Sequence, residues 1–280
     1  MTEVTSIGFP LLRPEEEELD RLETRLAELR EELADRELEL ATSRRRLLVF
    51  QQRYLAIVGR RLAELDQLEA QIAVLRAARD PSPEAEQEAR ASEARARESS
   101  DALGDDPDVL EDAAAEPQPE VSEELKKLYR QVAKAVHPDF AADDDDRALR
   151  DRLMAEANVA YEAGDVDKLE TILKGWQSRP EDISEDGVGA QLVHAIRSIA
   201  AVEARLAELA DEIASCAQGT LAELYAESLH VRAEGRDLLQ EMANEVDGRI
   251  AAARLRLRAL SDAANPEELL WDVARGPSVD

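Results

Sequence analysis

A histidine and an aspartate stand two residues apart at His137 and Asp139, with Pro138 between them. An imidazole and a carboxylate are the side chains that most often move protons in general acid–base catalysis. An enzyme of that kind also needs a nucleophile, a set of metal ligands or a phosphate-binding loop beside the pair. None of these accompanies the pair in the sequence. We therefore predict that the protein is not an enzyme and that the pair serves recognition of a partner.

The remaining candidate ligands for a metal are scattered along the chain. His194 and His230 have no Cys or His at metal-ligand spacing, and Cys216 lies on an apolar helical stripe. The run from Asp143 to Asp146 lacks the alternating ligands and the central glycine of a calcium-binding loop. We therefore expect no metal site and no cofactor.

The His-Pro-Asp tripeptide follows a predicted amphipathic helix. Ser122 is a suitable N-cap, and Pro138 disfavours helical geometry at His137, so the helix ends there. Three basic residues spaced by four form a stripe on its exposed face, with Lys127 beside them: Lys126, Arg130 and Lys134. Further helices are predicted from Arg147 to Ala163 and from Val166 to Leu173. The tripeptide therefore lies in a turn at the end of this basic stripe, and we expect the turn to be exposed to a partner.

Two segments around this turn resemble the J-domain of DnaJ-type co-chaperones: "ELKKLYRQVAKAVHPD" and "RLMAEANVAYEAGD". In that family a basic helix ends at a loop bearing His-Pro-Asp, and the next helix packs antiparallel to it. Tyr129 stands eight residues before His137, as the tyrosine of the family does, and residues 160–162 match its Ala-Tyr-Glu. The resemblance covers about 50 of the 280 residues. The family's first helix, with its Tyr-x-x-Leu-Gly signature, has no visible counterpart, and the loop after Asp139 is unusually long and acidic.

The resemblance implies a function for these residues. A J-domain binds a DnaK-type chaperone and stimulates its ATP hydrolysis, which traps a client protein on the chaperone. His137, Pro138 and Asp139 would be essential for this stimulation. Four basic residues would dock electrostatically on an acidic surface of the partner: Lys126, Lys127, Arg130 and Lys134. The chain has no zinc-ribbon cysteines and no Gly/Phe-rich linker, so we expect a specialised client whose identity is unknown. The alternative is a coiled-coil structural adaptor with a degenerate J-like module.

Composition sets limits on the rest of the chain. Acidic residues outnumber basic ones by 63 to 35, and the formal net charge is −28. Such acidity argues against nucleic acid and against an anionic membrane surface, because both attract clustered Lys and Arg. Aromatic residues make up only 3% of the chain, so we expect long helices rather than a large globular core. A single cysteine, no signal peptide and no membrane-spanning apolar run together predict a cytoplasmic protein.

The strongest periodicity lies in residues 15–79. Apolar residues recur by threes and fours from Leu19 to Ile57, which is a heptad seam, and the stripe continues after Gly59 from Leu62 to Leu75. A seam of this length needs a second copy, a partner protein or a fold-back near Ala41 to Arg46 to cover it. We favour self-association and therefore predict a homo-oligomer.

The predicted fold class is all-α, with elongated coiled-coil arms flanking a small J-domain-like helical module. The predicted segments are an N-terminal tail (1–14), a coiled coil (15–79), an acidic disordered linker (80–120), the J-like module (121–175), a connector (176–187), a long helical hairpin or continuous coiled coil (188–261), and a C-terminal tail (262–280). The linker is read as disordered because it is rich in proline and acids and has no apolar period.

Overall fold

A computed structural model of the chain describes residues 13–104, 121–141, 143–179 and 187–262. Every regular element in these ranges is helical, which confirms the all-α fold class. The α-helices are α1 (Pro14–Tyr54), α2 (Arg60–Arg79), α3 (Pro83–Asp101), α4 (Glu123–Val136), α5 (Asp144–Ala163), α6 (Val166–Gln177), α7 (Val188–Cys216), α8 (Thr220–Ala233) and α9 (Leu238–Asp262). A π-helical segment, Leu55–Gly59, joins α1 to α2, and a 3-10 turn, Pro138–Phe140, follows α4.

The chain divides into two compact units. The first unit comprises Met1–Leu48 and Glu120–Ala222, and the second comprises Val49–Pro119 and Glu223–Asp280. No helix in the described ranges is long and apolar enough to cross a membrane.

In the first unit, α7 covers the apolar seam of α1. The buried leucines of the seam share one cluster with Val202 and Leu209 of α7: Leu26, Leu29, Leu33 and Leu40. Burial of each leucine contributes about 1.5–3 kcal/mol. The fold-back near Ala41 to Arg46, one of the three alternatives for covering the seam, does not form, because α1 continues as one helix to Tyr54.

The two helices run in the same direction. The ion pairs Glu37–Arg205 and Arg44–Glu212 have the same sequence separation of 168 residues. They therefore lie one heptad apart on both helices, as in a parallel coiled coil. The seam of α1 thus finds its cover within the same chain, where the sequence analysis had assigned it to a second copy.

The J-like module packs on α1 as well as on itself. Its core takes side chains from four helices: Ala34, Leu38 and Ala41 of α1; Leu125, Tyr129, Val132, Ala133 and Val136 of α4; Met154, Ala157, Ala160 and Tyr161 of α5; Leu169 and Ile172 of α6. The sequence offered no counterpart of the family's first helix. In the fold, α1 and α6 each supply a helix that packs on this core.

In the second unit, α9 covers α2 in the same way. The shared cluster contains Leu65 and Ile72 of α2 with Val246 and Ile250 of α9. At the edge of this pair, the Arg61 guanidinium donates to both carboxylate oxygens of Asp247, at 3.0 and 3.1 Å. The residues predicted to form a long helical hairpin or continuous coiled coil (188–261) form three helices, of which α7 packs on α1 in the first unit and α9 packs on α2 in the second.

The prediction of a disordered linker is wrong for its first half, which forms α3. Ser82 accepts a hydrogen bond from the Ala85 amide at 3.2 Å, and Pro83 occupies the first turn, where its missing N–H costs nothing. α3 packs on α2, and its buried residues are the small Ala89 and Ser92. Sequence reasoning missed the helix because it searched for large apolar residues. The rest of the predicted linker, from residue 105, lies outside the described residues, as do most of both predicted tails and residues 180–186 of the connector.

Candidate functional site

The helix that leads to the His-Pro-Asp turn has the predicted bounds. The Ser122 hydroxyl accepts from the Leu125 amide at 3.1 Å, and Glu123 and Glu124 lie at the positive end of the helix dipole. At the other end, His137 takes an extended conformation with φ −61° and ψ 133° because Pro138 follows it. The helix therefore ends at Val136, as predicted.

The His137 ring caps the turn that follows it. Its Nδ1 accepts a hydrogen bond from the Asp139 amide at 3.2 Å. A backbone N–H can only donate, so Nδ1 is the acceptor nitrogen and the proton of the neutral ring lies on Nε2. This Nε2 faces Glu37 Oε1 of α1 at 3.3 Å. The sequence of the turn thus fixes the ring so that its one N–H points at a carboxylate.

The predicted exposure of this turn is wrong. The His137 side chain is 2% exposed and the Glu37 side chain only 5%. Phe140 joins the apolar cluster between α1 and α7, and the Arg30 guanidinium lies 4.4 Å from the centre of its ring. The turn is buried because α1, which the sequence analysis placed in a separate arm, lies against it.

Glu37 is held ionised by its neighbours. Burial alone would raise the pKa of its carboxyl group, but the hydrogen bond from His137 and the charge of Arg205 outweigh burial and hold this pKa below its ordinary value. The Arg205 guanidinium donates to Glu37 Oε1 at 3.0 and 3.1 Å, and to Glu212 at 2.7 Å. Glu212 in turn accepts from Arg44 at 2.8 Å. A chain of alternating charges therefore leads from the turn along the α1–α7 interface.

The carboxyl group of Asp139 is only partly satisfied. Its Oδ2 atom is buried and has no hydrogen-bond partner in the described part of the chain. The nearest basic atom, His137 Nδ1, lies 3.7 Å away, which is too far for a hydrogen bond. Burial raises the pKa of this carboxyl group, and the positive charge of Arg147 opposes this rise only in part. A buried carboxylate oxygen of this kind has an unused capacity to accept a hydrogen bond.

Arg150 of α5 stabilises the C-terminal end of α4 by hydrogen bonds. Its guanidinium donates to the carbonyl oxygens of Ala135 at 3.1 Å and His137 at 3.3 Å, and to the Asp146 carboxylate at 2.7 Å. It also lies 4.4 Å from the centre of the Trp176 ring. Carbonyls at a helix end have no partner inside the helix, so one arginine satisfies them and holds the turn in place.

Two buried tyrosines fix α5 against α4 and α1. The Tyr129 hydroxyl donates to Asn158 Oδ1 at 2.6 Å, and the Tyr161 hydroxyl is 2.8 Å from the Thr42 hydroxyl. The two rings have centroids 4.7 Å apart. Burial raises the pKa of both phenols, so both remain neutral near physiological pH. These contacts, with those of Arg150 to Ala135, make α4 and α5 antiparallel.

The basic stripe is present, but most of it already has acidic partners. Arg130 Nε donates to the Asp35 carboxylate of α1 at 2.7 Å, and Lys134 pairs with Glu31 of α1. Lys126 pairs with Glu123 of its own helix at 2.7 Å. Lys127 is exposed. The structure therefore brings all four predicted docking residues onto one helix, and it sets Glu31 and Asp35 of α1 against the end of the stripe and Glu37 of α1 against the turn.

The sequence did not predict the part that Glu37, Arg150 and Arg205 take in the site, nor that of the acidic partners Glu31 and Asp35. The contacts of Glu37 join residues 100 and 168 positions apart, so no local pattern reports them. One usable signal was present in the spacing of charges. Glu31 and Asp35 are four residues apart, as Arg130 and Lys134 are, so two antiparallel helices bearing them form complementary pairs.

Comparison of the chain with protein-family models, with curated proteins and with solved structures returns no match. The resemblance to the J-domain therefore rests on the residues of the module itself. No group of three or more potential metal ligands occurs among the residues that the structure describes.

Proposed function

We propose that the protein is a J-domain-like co-chaperone. In this proposal α4 and the His-Pro-Asp turn dock on a DnaK-type chaperone in the cytoplasm and stimulate its ATP hydrolysis, while other parts of the chain select a client. The chain needs no ATPase site of its own, because the partner carries out the reaction. The observation that carries the proposal is the antiparallel α4–α5 pair, with a His-Pro-Asp turn at the end of a basic helix and Arg150 bracing that turn.

Asp139 gives further support. A buried carboxylate oxygen without a hydrogen-bond partner lowers the stability of a fold, and such groups often have a functional reason. A docking partner that offers a donor to this oxygen would supply that reason.

Self-association stays a prediction. It was expected because the seam on residues 15–79 needs a cover, and α7 and α9 cover much of that seam within one chain. A homo-oligomer would therefore have to use other surfaces. Candidates are the exposed apolar side chains of Ile196 and Leu255.

A second candidate function is that of a coiled-coil structural adaptor whose J-like module only packs. The burial of His137 against Glu37 favours it, because a residue used to join helices need not reach a partner. In that case the turn serves only to pack α4 against α1 and α7.

The two candidates differ in one measurement. Single-turnover ATP hydrolysis by the host's DnaK-type chaperone is followed with and without the full chain at saturating concentration. If the protein is a co-chaperone, ATP hydrolysis is faster in its presence, and His137→Gln abolishes this stimulation. His230→Gln leaves the stimulation intact, since the His230 side chain is 73% exposed and lies outside the J-like module. If the protein is a structural adaptor, neither wild type nor a variant with Glu31, Asp35 and Glu37 of α1 neutralised stimulates ATP hydrolysis.

A further inference from the structure

Arg130 and Lys134 of the basic stripe form, with the turn, an interaction surface that this chain already fills with its own α1. On α1 the filling residues are Glu31, Asp35 and Glu37. Arg130 pairs with Asp35 and Lys134 pairs with Glu31, so two basic residues four apart on α4 meet two acidic residues four apart on α1. The chemistry that the stripe recognises is therefore visible in the structure: carboxylates repeated along one face of a helix.

The contacts between α1 and this surface differ in strength. The pairs of Arg130 and Lys134 are partly exposed, and pairs of this kind contribute about 0.2–1 kcal/mol each because water and salt screen them. Glu37 is different, since its carboxylate is buried between His137 and Arg205. Removing one member of a buried pair leaves an uncompensated charge, so the pair of Glu37 is the strongest of these three ion pairs at the turn.

We propose that α1 is an intramolecular substitute for the acidic surface of the partner, and that the partner docks only after residues 31–37 of α1 leave α4 and the turn. This inference rests on the proposed function and adds its regulation. The apparent affinity for the partner is the intrinsic affinity reduced by the fraction of open molecules. A closed state favoured about a hundredfold therefore weakens docking about a hundredfold.

The test uses two full-length variants with equal changes in charge. The opening variant carries Glu31→Gln, Asp35→Asn and Glu37→Gln. The matched control carries Glu23→Gln, Asp20→Asn and Glu32→Gln, which are exposed acids of the same helix. Far-UV circular dichroism and thermal unfolding establish that both variants are folded. Single substitution of Glu37→Gln replaces the triple variant if the latter unfolds.

Opening is measured without any partner by modification with diethyl pyrocarbonate and mass spectrometry. The chain has three histidines, and the exposed His194 and His230 serve as internal references for the buried His137. We expect His137 to be protected in wild type and in the control variant. In the opening variant we expect its modification rate to rise at least tenfold toward that of the references.

Stimulation of the DnaK-type chaperone is then measured for the same proteins at a subsaturating concentration. We expect the opening variant to stimulate at least tenfold more than wild type and control, and a further His137→Gln substitution to abolish the gain. If wild type and opening variant stimulate equally, the inhibition by α1 is refuted while the co-chaperone function stands. If His137 stays protected in the opening variant, the assigned contacts do not close the turn. If His137 is freed and neither protein stimulates at any concentration, the co-chaperone function fails, and the inhibition fails with it.

Discussion

Replacement of His137 by glutamine distinguishes most sharply between an exposed turn and the buried turn of the structure. If the turn were exposed, the substitution would leave the free energy of unfolding nearly unchanged. In the structure, the ring accepts from the Asp139 amide, donates toward Glu37 and lies 5.5 Å from the centre of the Phe140 ring. Glutamine has one donor group and one acceptor group on a flexible chain, so it cannot hold both contacts in this geometry. It also loses the packing against Phe140.

The size of the effect follows from the lost contacts. A hydrogen bond to a charged group contributes about 1.5–3 kcal/mol net, and Glu37 keeps its two bonds from Arg205, so its charge stays partly compensated. We therefore expect the free energy of unfolding to fall by about 2 kcal/mol. For a domain of 150–250 residues this corresponds to a decrease in Tm of roughly 4–8 °C.

The measurement is equilibrium denaturation followed by far-UV circular dichroism, with wild type, His137→Gln and His230→Gln side by side. The His230 side chain is 73% exposed, so its substitution controls for the loss of an imidazole and should leave the midpoint within error. A midpoint for His137→Gln that coincides with both other proteins would refute the burial of the turn in solution. It would also remove the basis for closure by α1.

Three further predictions concern the charges and the glycine around the module. Asp139→Asn should stabilise the fold at neutral pH, since burial raises the pKa of this carboxyl group; the gain should fade as the pH falls through this raised pKa and be absent below about 3.9, where both states are protonated. Glu37→Gln should destabilise at neutral pH. Since the pKa of Glu37 is lowered in the fold, its stabilising effect exists above about 4.3 and is lost at lower pH, so the difference from wild type should shrink in acid denaturation curves. Gly164→Ala should cost about 1–2 kcal/mol in urea unfolding, because φ is +79° and a Cβ would lie 2.8 Å from the Arg45 guanidinium, whereas Gly189→Ala in open space should cost far less.

Local signals in the sequence predicted local structure well. The Ser122 cap, the stop at Pro138 and the αL glycine at Gly164 each act within one helical turn, and the bounds of α4 and the end of α5 agree with them. The start of α5 differed by three residues, because Asp143 caps that helix and so includes the acidic residues that were assigned to the loop.

Pairing between distant helices was not predictable in the same way. Heptad periodicity identifies a face that must be buried, but it does not identify what buries it. α7 is a heptad helix too, and its position on α1 is visible only in contacts between distant residues, such as Glu37–Arg205 and Arg44–Glu212. The burial of His137 follows from this pairing. A polar turn that sequence alone places in solvent thus becomes part of an interface.

The hydrogen-bonding and charged groups of α4 and the turn that have no partner within the chain indicate which contacts a docking protein must supply. Any acidic surface that approaches α4 competes with carboxylates held nearby in the same chain, which act at a high effective concentration. Charge alone therefore cannot displace α1 efficiently, since Glu31 and Asp35 already neutralise Lys134 and Arg130. In the described structure α1 donates no hydrogen bond to Asp139 Oδ2, which remains buried without a donor. A partner that combines carboxylates for the stripe with a hydrogen-bond donor for Asp139 offers a contact that α1 lacks, and that contact gives it the advantage over α1.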